Sequence, residues 1–327
     1  MEQRMLGRTG VPVGVVGLGT WQLGADWGEV DEGHAMATLA AATEAGVTFF
    51  DTADVYGDGR SESVIGAYLR GPERSQVTVA TKMGRRVALD PALYTLDNFR
   101  AWTDRSRRNL GVDTLDLVQL HCPPTAVYSA DAVYDALDTL VSEKRIAAYG
   151  VSVETCAEAL TAISRPGTAS VQIIFNMLRL KPLDEVLPAA AAAGVAIVAR
   201  VPLASGLLSG KYDQHTTFAE NDHRNYNRHG EKFDVGETFS GVEYDTGLEF
   251  VRRITPLVPE GASTAQFALR WILDHPAVSV VIPGARSPEQ ARANAAAAQL
   301  APLPEATHTQ IAAAYDELVR AQVHSRW

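Results

Sequence analysis

Four residues able to move or steer a proton stand at, or just past, the ends of successive apolar runs: Asp51, Tyr56, Lys82 and His121. VTFFDTADVY carries the first two, VTVATK the third and LDLVQLH the fourth. Runs such as 48–50 and 117–120 read as buried strands. If these strands are parallel neighbours, their tips bring a carboxylate, a phenol, an ammonium and an imidazole to one rim. A phenol holds its proton up to about pH 10, too tightly for easy donation near neutrality. A nearby ammonium favours the phenolate, so Lys82 is expected to lower the Tyr56 value. Asp51 would fix the charge and orientation of Lys82, and His121 would hydrogen-bond and position a substrate oxygen. Such a set suits protonation of an oxygen as hydride arrives at carbon. Taken singly, each residue has a plainer role, since a lone lysine at a strand end usually snorkels to water. The ordered set of four points to catalysis.

Those tips need strands to hold them. RMLGRTGVPVGVVGLGT reads as a hairpin with Arg8, Thr9 and Gly10 near its turn, followed by a strand at 15–18. Further strands are expected at 47–50, 77–81, 115–120, 147–151, 171–175, 195–199 and 278–282. Helical periodicity separates or follows them at 31–45, 61–70, 96–110, 130–143, 155–164, 184–193, 263–274, 288–298 and 305–322. Near-continuous apolar strands alternating with helices indicate a parallel sheet covered on both faces. Eight such units in 327 residues match a (β/α)8 TIM barrel, which takes about 250 residues plus insertions. A doubly wound sheet is the rival, but its G-x-G-x-x-G fingerprint is only mimicked. Gly17-Leu18-Gly19 is followed by Thr20, Trp21 and Gln22, with no third glycine and a bulky indole where a helix should pack closely. The one long irregular segment, 204–261 after the seventh strand, has a polar middle, AENDHRNYNRHGEKFD. Loops of that length are usually lids, binding loops or disordered. No low-complexity linker divides the chain, so one domain over 1–327 is expected.

Composition narrows the field of partners. Lys+Arg 29 against Asp+Glu 39 gives a net charge of -10, and no basic stripe offers a nucleic-acid surface. Cys122 and Cys156 form no C-x-x-C pair and suggest a reducing compartment. MEQRMLGRTG has no apolar signal core, and no stretch reaches transmembrane length. A soluble cytoplasmic protein is the expectation, with its oligomeric state open. His215, His223 and His229 lack zinc-site spacing and accompanying cysteines, so no metal is expected.

The motif D-T-A-D-x-Y-G, the strand-tip Lys82 and the strand-tip His121 resemble the aldo-keto reductase superfamily. The similarity runs from RMLGRTG to IPGARSPEQARAN. The resemblance implies a TIM barrel that binds an extended nicotinamide dinucleotide without a Rossmann domain. It also implies NAD(P)H-dependent reduction of an aldehyde or ketone to an alcohol, or the reverse, on a small-molecule substrate. Under it Tyr56 is the general acid, supported by Lys82 and Asp51, and His121 orients the carbonyl.

The same resemblance assigns a cofactor path. Gly19, Thr20, Trp21 and Asp51 lie beside the nicotinamide, and Trp21, Tyr56 and His121 line the substrate pocket. Ser152 occupies the serine of a Gly-x-Ser-Asn pattern in which Val153 replaces the asparagine; Ser152 and Gln172, with Asn176 nearby, would hold the carboxamide. Arg200 stands where relatives carry a stacking aromatic. A guanidinium also stacks, and its charge would favour the reduced ring. Pro202, Leu203, Ser205, Gly206, Leu208 and Lys211 follow the seventh strand as a pyrophosphate segment. Ile282, Gly284, Arg286, Ser287, Gln290 and Asn294 form the adenosine end. There Gln290 and Asn294 share a helix face, and the helix N-terminus attracts phosphate. Arg286 suits a 2′-phosphate, hence NADPH/NADP, with NADH the alternative. Two other functions compete: a cofactor-binding regulatory subunit resembling potassium-channel β-subunits, and a lyase using Lys82 as a Schiff base.

Overall fold

The computed structural model describes residues 1–24, 31–71, 77–220 and 222–327. Strands β1 (Gln3–Met5) and β2 (Pro12–Gly14) pair antiparallel as a hairpin. Its turn closes through Gly10 at φ 74°. The hairpin seals the N-terminal end of a barrel: Leu6 and Val13 are buried in one cluster with Phe49, Ala80, Leu117, Ala196, Val198 and Val280. Arg4 fixes it there by donating to the backbone carbonyls of Leu273, His275 and Val278 at 2.7, 3.2 and 2.7 Å.

Eight parallel strands follow in spatial order of sequence. They are β3 (Leu18–Gly19), β4 (Phe49–Asp51), β5 (Thr78–Met83), β6 (Leu117–His121), β7 (Tyr149–Ser152), β8 (Thr168–Ile174), β9 (Ala196–Arg200) and β10 (Val278–Val281). Bridges Val16–Val281 and Gly19–Gly284 join the first to the last, with Gly17 N–H donating to Val281 O at 2.8 Å. The expected (β/α)8 barrel is therefore the observed fold.

The outer layer contains α1 (Glu32–Glu44), α2 (Arg60–Tyr68), α3 (Leu96–Leu110), α4 (Asp131–Ser142), α5 (Cys156–Ile163) and α6 (Val186–Ala193). It continues with α7 (His223–Tyr226), α8 (Tyr244–Ile254), α9 (Thr264–Leu273), α10 (Pro288–Ala296), α11 (Glu305–Leu318) and α12 (Arg320–Val323). Local chemistry explains several starts. Asp31, Thr95 and Ser287 accept from backbone N–H groups as N-caps, and Thr155–Glu158 and Ser263–Gln266 form capping boxes. Gly111 and Gly194 end α3 and α6 in the left-handed conformation.

The segment 204–261, expected to be irregular, contains α7 and α8; its Asn221 lies outside the described residues. Helix α8 buries Leu248, Phe250, Val251 and Ile254. Its first turn is polar and Gly247 interrupts the apolar stripe, so its periodicity is short in the sequence. The expected helix 305–322 breaks at Val319, and the tail folds back until Trp327 is buried. Among the described residues, no helix is long and apolar enough to cross a membrane. Cys122 and Cys156 are buried thiols without a disulfide.

Phe49 sits inside the barrel at 0% exposure. Phe49→Ala should destabilise the protein by about 3–5 kcal/mol, whereas Leu89→Ala, at an exposed site, should change stability by less than about 0.5 kcal/mol. Urea denaturation midpoints would check both.

Candidate active site

Parallel register carries three of the four opening residues to the C-terminal rim. Asp51 ends β4, His121 ends β6, and Lys82 is the penultimate residue of β5. Tyr56 follows on a tight turn over Tyr56–Gly59. Gly57 allows that turn: its φ is 57°, and a Cβ there would lie 2.1 Å from Gly24 O. Lys82 Nζ donates to Asp51 Oδ1 at 2.6 Å, to Thr52 O at 2.9 Å and to Tyr56 Oη at 3.4 Å. The other Asp51 oxygen accepts from Gln119 Nε2 at 3.3 Å and Gln172 Nε2 at 2.8 Å. The His121 ring meets the Tyr56 ring edge to face at 5.9 Å, and Trp21 stacks on Tyr56 at 6.1 Å.

Burial dominates the protonation states. Desolvation pushes the Tyr56 phenol above its ordinary value; Lys82 pulls it down, while Asp51 and Glu237 push it up. The net direction corrects the expectation that Lys82 would lower it. The ammonium does act as expected, but burial and two carboxylates outweigh it. Burial opposes the charged Lys82, yet Asp51 and Tyr56 hold it above its ordinary value. The His121 imidazole is held well below its ordinary value by burial and then by Arg85, Lys82 and Arg200, so it is neutral near pH 7.

The cofactor residues expected from sequence have the following places. Gly19 packs on the turn at Ile282–Gly284, and Thr20 is buried with its hydroxyl on Asp51 O at 2.8 Å. Trp21 forms an apolar wall with Tyr56, His223 and Phe233, the last two at 5.3 and 5.9 Å. Ser152 is buried beside Cys122 Sγ at 3.4 Å, and Gln172 pairs with it in register. The Gln172 amide donates one N–H to Asp51 Oδ2 at 2.8 Å. Asn176 braces a turn, bonding Val201 O, Ser240 Oγ and Leu178 N. Leu208 and Ile282 are buried, Pro202 is buried beside the partly covered Leu203, and Lys211 is exposed. Ala204, Ser205 and Gly206 all have positive φ, a run that turns the chain sharply after β9. The Ser205 hydroxyl meets Glu237 O, Phe239 N and His223 Nε2 at 2.9, 3.2 and 3.3 Å.

At the opposite end, Gln290 accepts from Arg286 N at 2.7 Å and Asn294 donates to Gly284 O at 3.1 Å, bracing the turn. Desolvation and the neighbouring Arg224 lower the Arg286 guanidinium, although the residue as a whole is exposed. Arg286 just before α10, with the Asp222-paired Arg224 nearby, is a donor set whose chemistry suits a phosphate-bearing group.

Arg200, expected to bring a free positive charge to the ring it stacks on, is ion-paired. It reaches Val153 O at 3.0 Å, Glu154 Oε2 at 2.9 Å and Glu237 Oε1 at 3.4 Å. Arg85 bridges the same two carboxylates at 3.4 and 3.2 Å. The four charges form a ring, so Arg200 brings no uncompensated positive charge to the site. Cys122 Sγ and one oxygen from each carboxylate lie within 4.8 Å of one another, but the guanidiniums already engage both carboxylates. Sequence reading missed Arg85, Glu154, Glu237, His223 and Phe233. Glu154 and Arg85 lie just beyond recognisable strand tips, a usable signal; the others sit in a polar segment without periodicity. Of the three loop histidines, His223 is buried and His215 and His229 are exposed.

The Aldo/keto reductase family profile matches residues 15–316. The chain belongs to this family. It is 30% identical over 297 residues to the aldo-keto reductase YhdN of Bacillus subtilis, covering 90% of this chain and 87% of that protein. A probable voltage-gated potassium channel subunit beta of Oryza sativa is also 30% identical, over 320 residues and 93% of both chains. Among solved structures, the aldo-keto reductase AKR11C1 from Bacillus halodurans, in a holo form, superposes with a TM-score of 0.78 at 26% identity, covering 100% and 99% of the two chains.

The Lys82–Asp51 pair is nearly inaccessible. Lys82→Met leaves the carboxylate buried without its cation and should destabilise by about 3–5 kcal/mol in urea, with part recovered in the Lys82→Met/Asp51→Asn double variant. Because the folded Lys82 value is raised, its contribution is complete below about pH 10 and is lost only as pH rises through that higher value. The gap between wild type and Lys82→Met should therefore be equal at pH 7 and pH 9.

Proposed function

We propose that this protein reduces an aldehyde or ketone to an alcohol with NADPH, Tyr56 delivering the proton. The observation that carries this reading is the Lys82 ammonium held between Asp51 Oδ1 at 2.6 Å and Tyr56 Oη at 3.4 Å on the barrel rim. The bound dihydronicotinamide supplies a hydride. The substrate oxygen lies between Tyr56 and His121. Neutral His121 donates a hydrogen bond to it and keeps it in reach of the phenol. As negative charge grows on that oxygen, the Tyr56 O–H bond breaks and the proton crosses to it. The phenolate left behind is stabilised by Lys82, whose charge Asp51 balances. The aromatic wall of Trp21 and Phe233 shields the reacting carbonyl from water. Arg286, with Arg224 nearby, would hold the 2′-phosphate that distinguishes NADPH from NADH, and the Ser205–Gly206 turn would meet the pyrophosphate.

The likeness to a channel β-subunit favours a second reading, in which the barrel binds the cofactor as a regulatory subunit with little turnover. Absorbance of the dihydronicotinamide separates the two. Purified protein is mixed with NADPH and a panel of aromatic aldehydes, ketones and sugars. Consumption with at least one carbonyl is expected; tight NADPH binding with no consumption would establish the regulatory reading instead. Tyr56→Phe should lower kcat by at least about 100-fold, the usual scale of a lost general acid. Its NADPH affinity should stay within about twofold, since only one hydroxyl is removed. Full activity in that variant would exclude Tyr56 as the acid.

A further inference from the structure

Tyr56 lies in the middle of a turn whose two flanking carbonyls are held by one side chain. Arg105 of α3 donates from Nη1 to Asp54 O at 3.2 Å, and from Nη2 to Asp58 O at 2.5 Å and Asp58 Oδ1 at 3.0 Å. One carbonyl stands two residues before Tyr56 and the other two residues after it. The backbone between them needs support from outside. Gly57, Asp58 and Gly59 take φ values of 57°, 50° and 93°, a left-handed run in which Asp58 carries a side chain. The entry to the turn is tied to β5, because Asp54 N–H donates to Lys82 O at 3.1 Å. Its exit is held from α3 by Arg105 and from the loop after β5 by Arg86, which donates to Asp58 Oδ1 at 2.8 Å.

Helix α3 is itself registered against the strand that carries Lys82. Asn109 lies one helical turn beyond Arg105 on the same face. It donates to Glu62 Oε2 at 2.8 Å, and Thr81 Oγ1 donates to Glu62 Oε1 at 2.6 Å. Glu62, on α2, is fully buried. Thr81 precedes Lys82, and alternation along β5 sends Thr81 toward α2 and Lys82 toward Asp51. A Cβ on Gly59 would lie 2.6 Å from Asn109 Nδ2 and 3.2 Å from Arg105 Nη2, so the turn sits directly on this face. One face of α3 thus sets the place of the turn relative to β5. The contact that depends on it is the long one, 3.4 Å, between Lys82 Nζ and Tyr56 Oη. We propose that Arg105 is a positioning residue: by clasping the carbonyls on either side of Tyr56, it keeps the phenol within reach of Lys82 and of the substrate oxygen. This inference rests on the reductase reading, in which Tyr56 is the donor.

Two measurements test the clasp. Arg105→Met keeps the apolar stem and removes every donor. In hydrogen–deuterium exchange, the peptide covering 53–60 should exchange faster in this variant, while peptides covering β6 to β9 keep their wild-type rates. Arg105→Lys, whose ammonium still donates to carbonyls, should restore most of the protection. The second measurement is steady-state reduction of whichever carbonyl the wild type consumes. Arg105→Met should lower kcat by about tenfold, less than the roughly 100-fold that a 1 Å misplacement can cost. The carbonyl KM and the NADPH Kd should stay within about twofold, because the loss falls on the transition state. Arg105→Lys should recover most of kcat. Arg86→Met loses a bond to the Asp58 side chain but leaves both carbonyls clasped, so its kcat should stay within about threefold of wild type. Unchanged exchange at 53–60, a raised KM with kcat intact, or a loss of kcat that Arg105→Lys does not recover overturns the proposal. Absence of wild-type turnover with every carbonyl would instead overturn the reductase reading, and the exchange measurement still decides the clasp. Circular dichroism and thermal midpoints verify that each variant is folded.

Discussion

The buried pair of Lys82 and Asp51 is the constraint around which the rim is organised. Their side chains are 1% and 4% exposed. Removing two charges from water is unfavourable unless the pair is close and its remaining hydrogen-bonding sites are filled. Here every such site is supplied by a different part of the barrel. Thr52 O follows β4, Tyr56 Oη comes from the next turn, Gln119 comes from β6 and Gln172 from β8. A one-residue slip in any of these strands would send a glutamine to the opposite face and leave a carboxylate oxygen unpaired. The ion pair and the strand register therefore depend on each other.

A second group of charges lies above the first. Arg85, Arg200, Glu154 and Glu237 alternate in sign around it. Tyr56 and His121 lie where the balanced lower pair, the balanced upper ring and the aromatic wall meet. The lower pair needs only the barrel, whereas the upper ring needs the segment after β9. Chain outside the strands thus contributes to a site whose most buried ion pair is built from strand tips.

Much of this was legible before any coordinates. Polar residues ending apolar runs marked Asp51, Lys82 and His121 because a parallel barrel exposes its strand tips. Helix 96–110 was legible to the residue because Thr95 and Gly111 both announce its ends. Other features were not. Helix α8 was hidden by a polar first turn and Gly247. The bond from Gln172 to Asp51 was not legible because its strand register was unknown; pairing with β7 brings the two together. Arg200 looked like a lone charge because its partners Glu154 and Glu237 are 46 and 37 positions away.

The direction of the Tyr56 shift shows where the boundary falls. From sequence, an ammonium near a phenol is enough to say that the phenol is made more acidic. That influence is present, but burial and carboxylates from β4 and from the segment after β9 reverse the outcome. The chain by itself determined the alternation of strands and helices, the four residues at the rim and the family they resemble, because periodicity, capping and strand-tip chemistry are local properties. Only the tertiary structure decided register, burial and the pairing of charges distant in sequence. Those quantities depend on what the folded chain removes from water and which groups it brings together, and no local pattern encodes either.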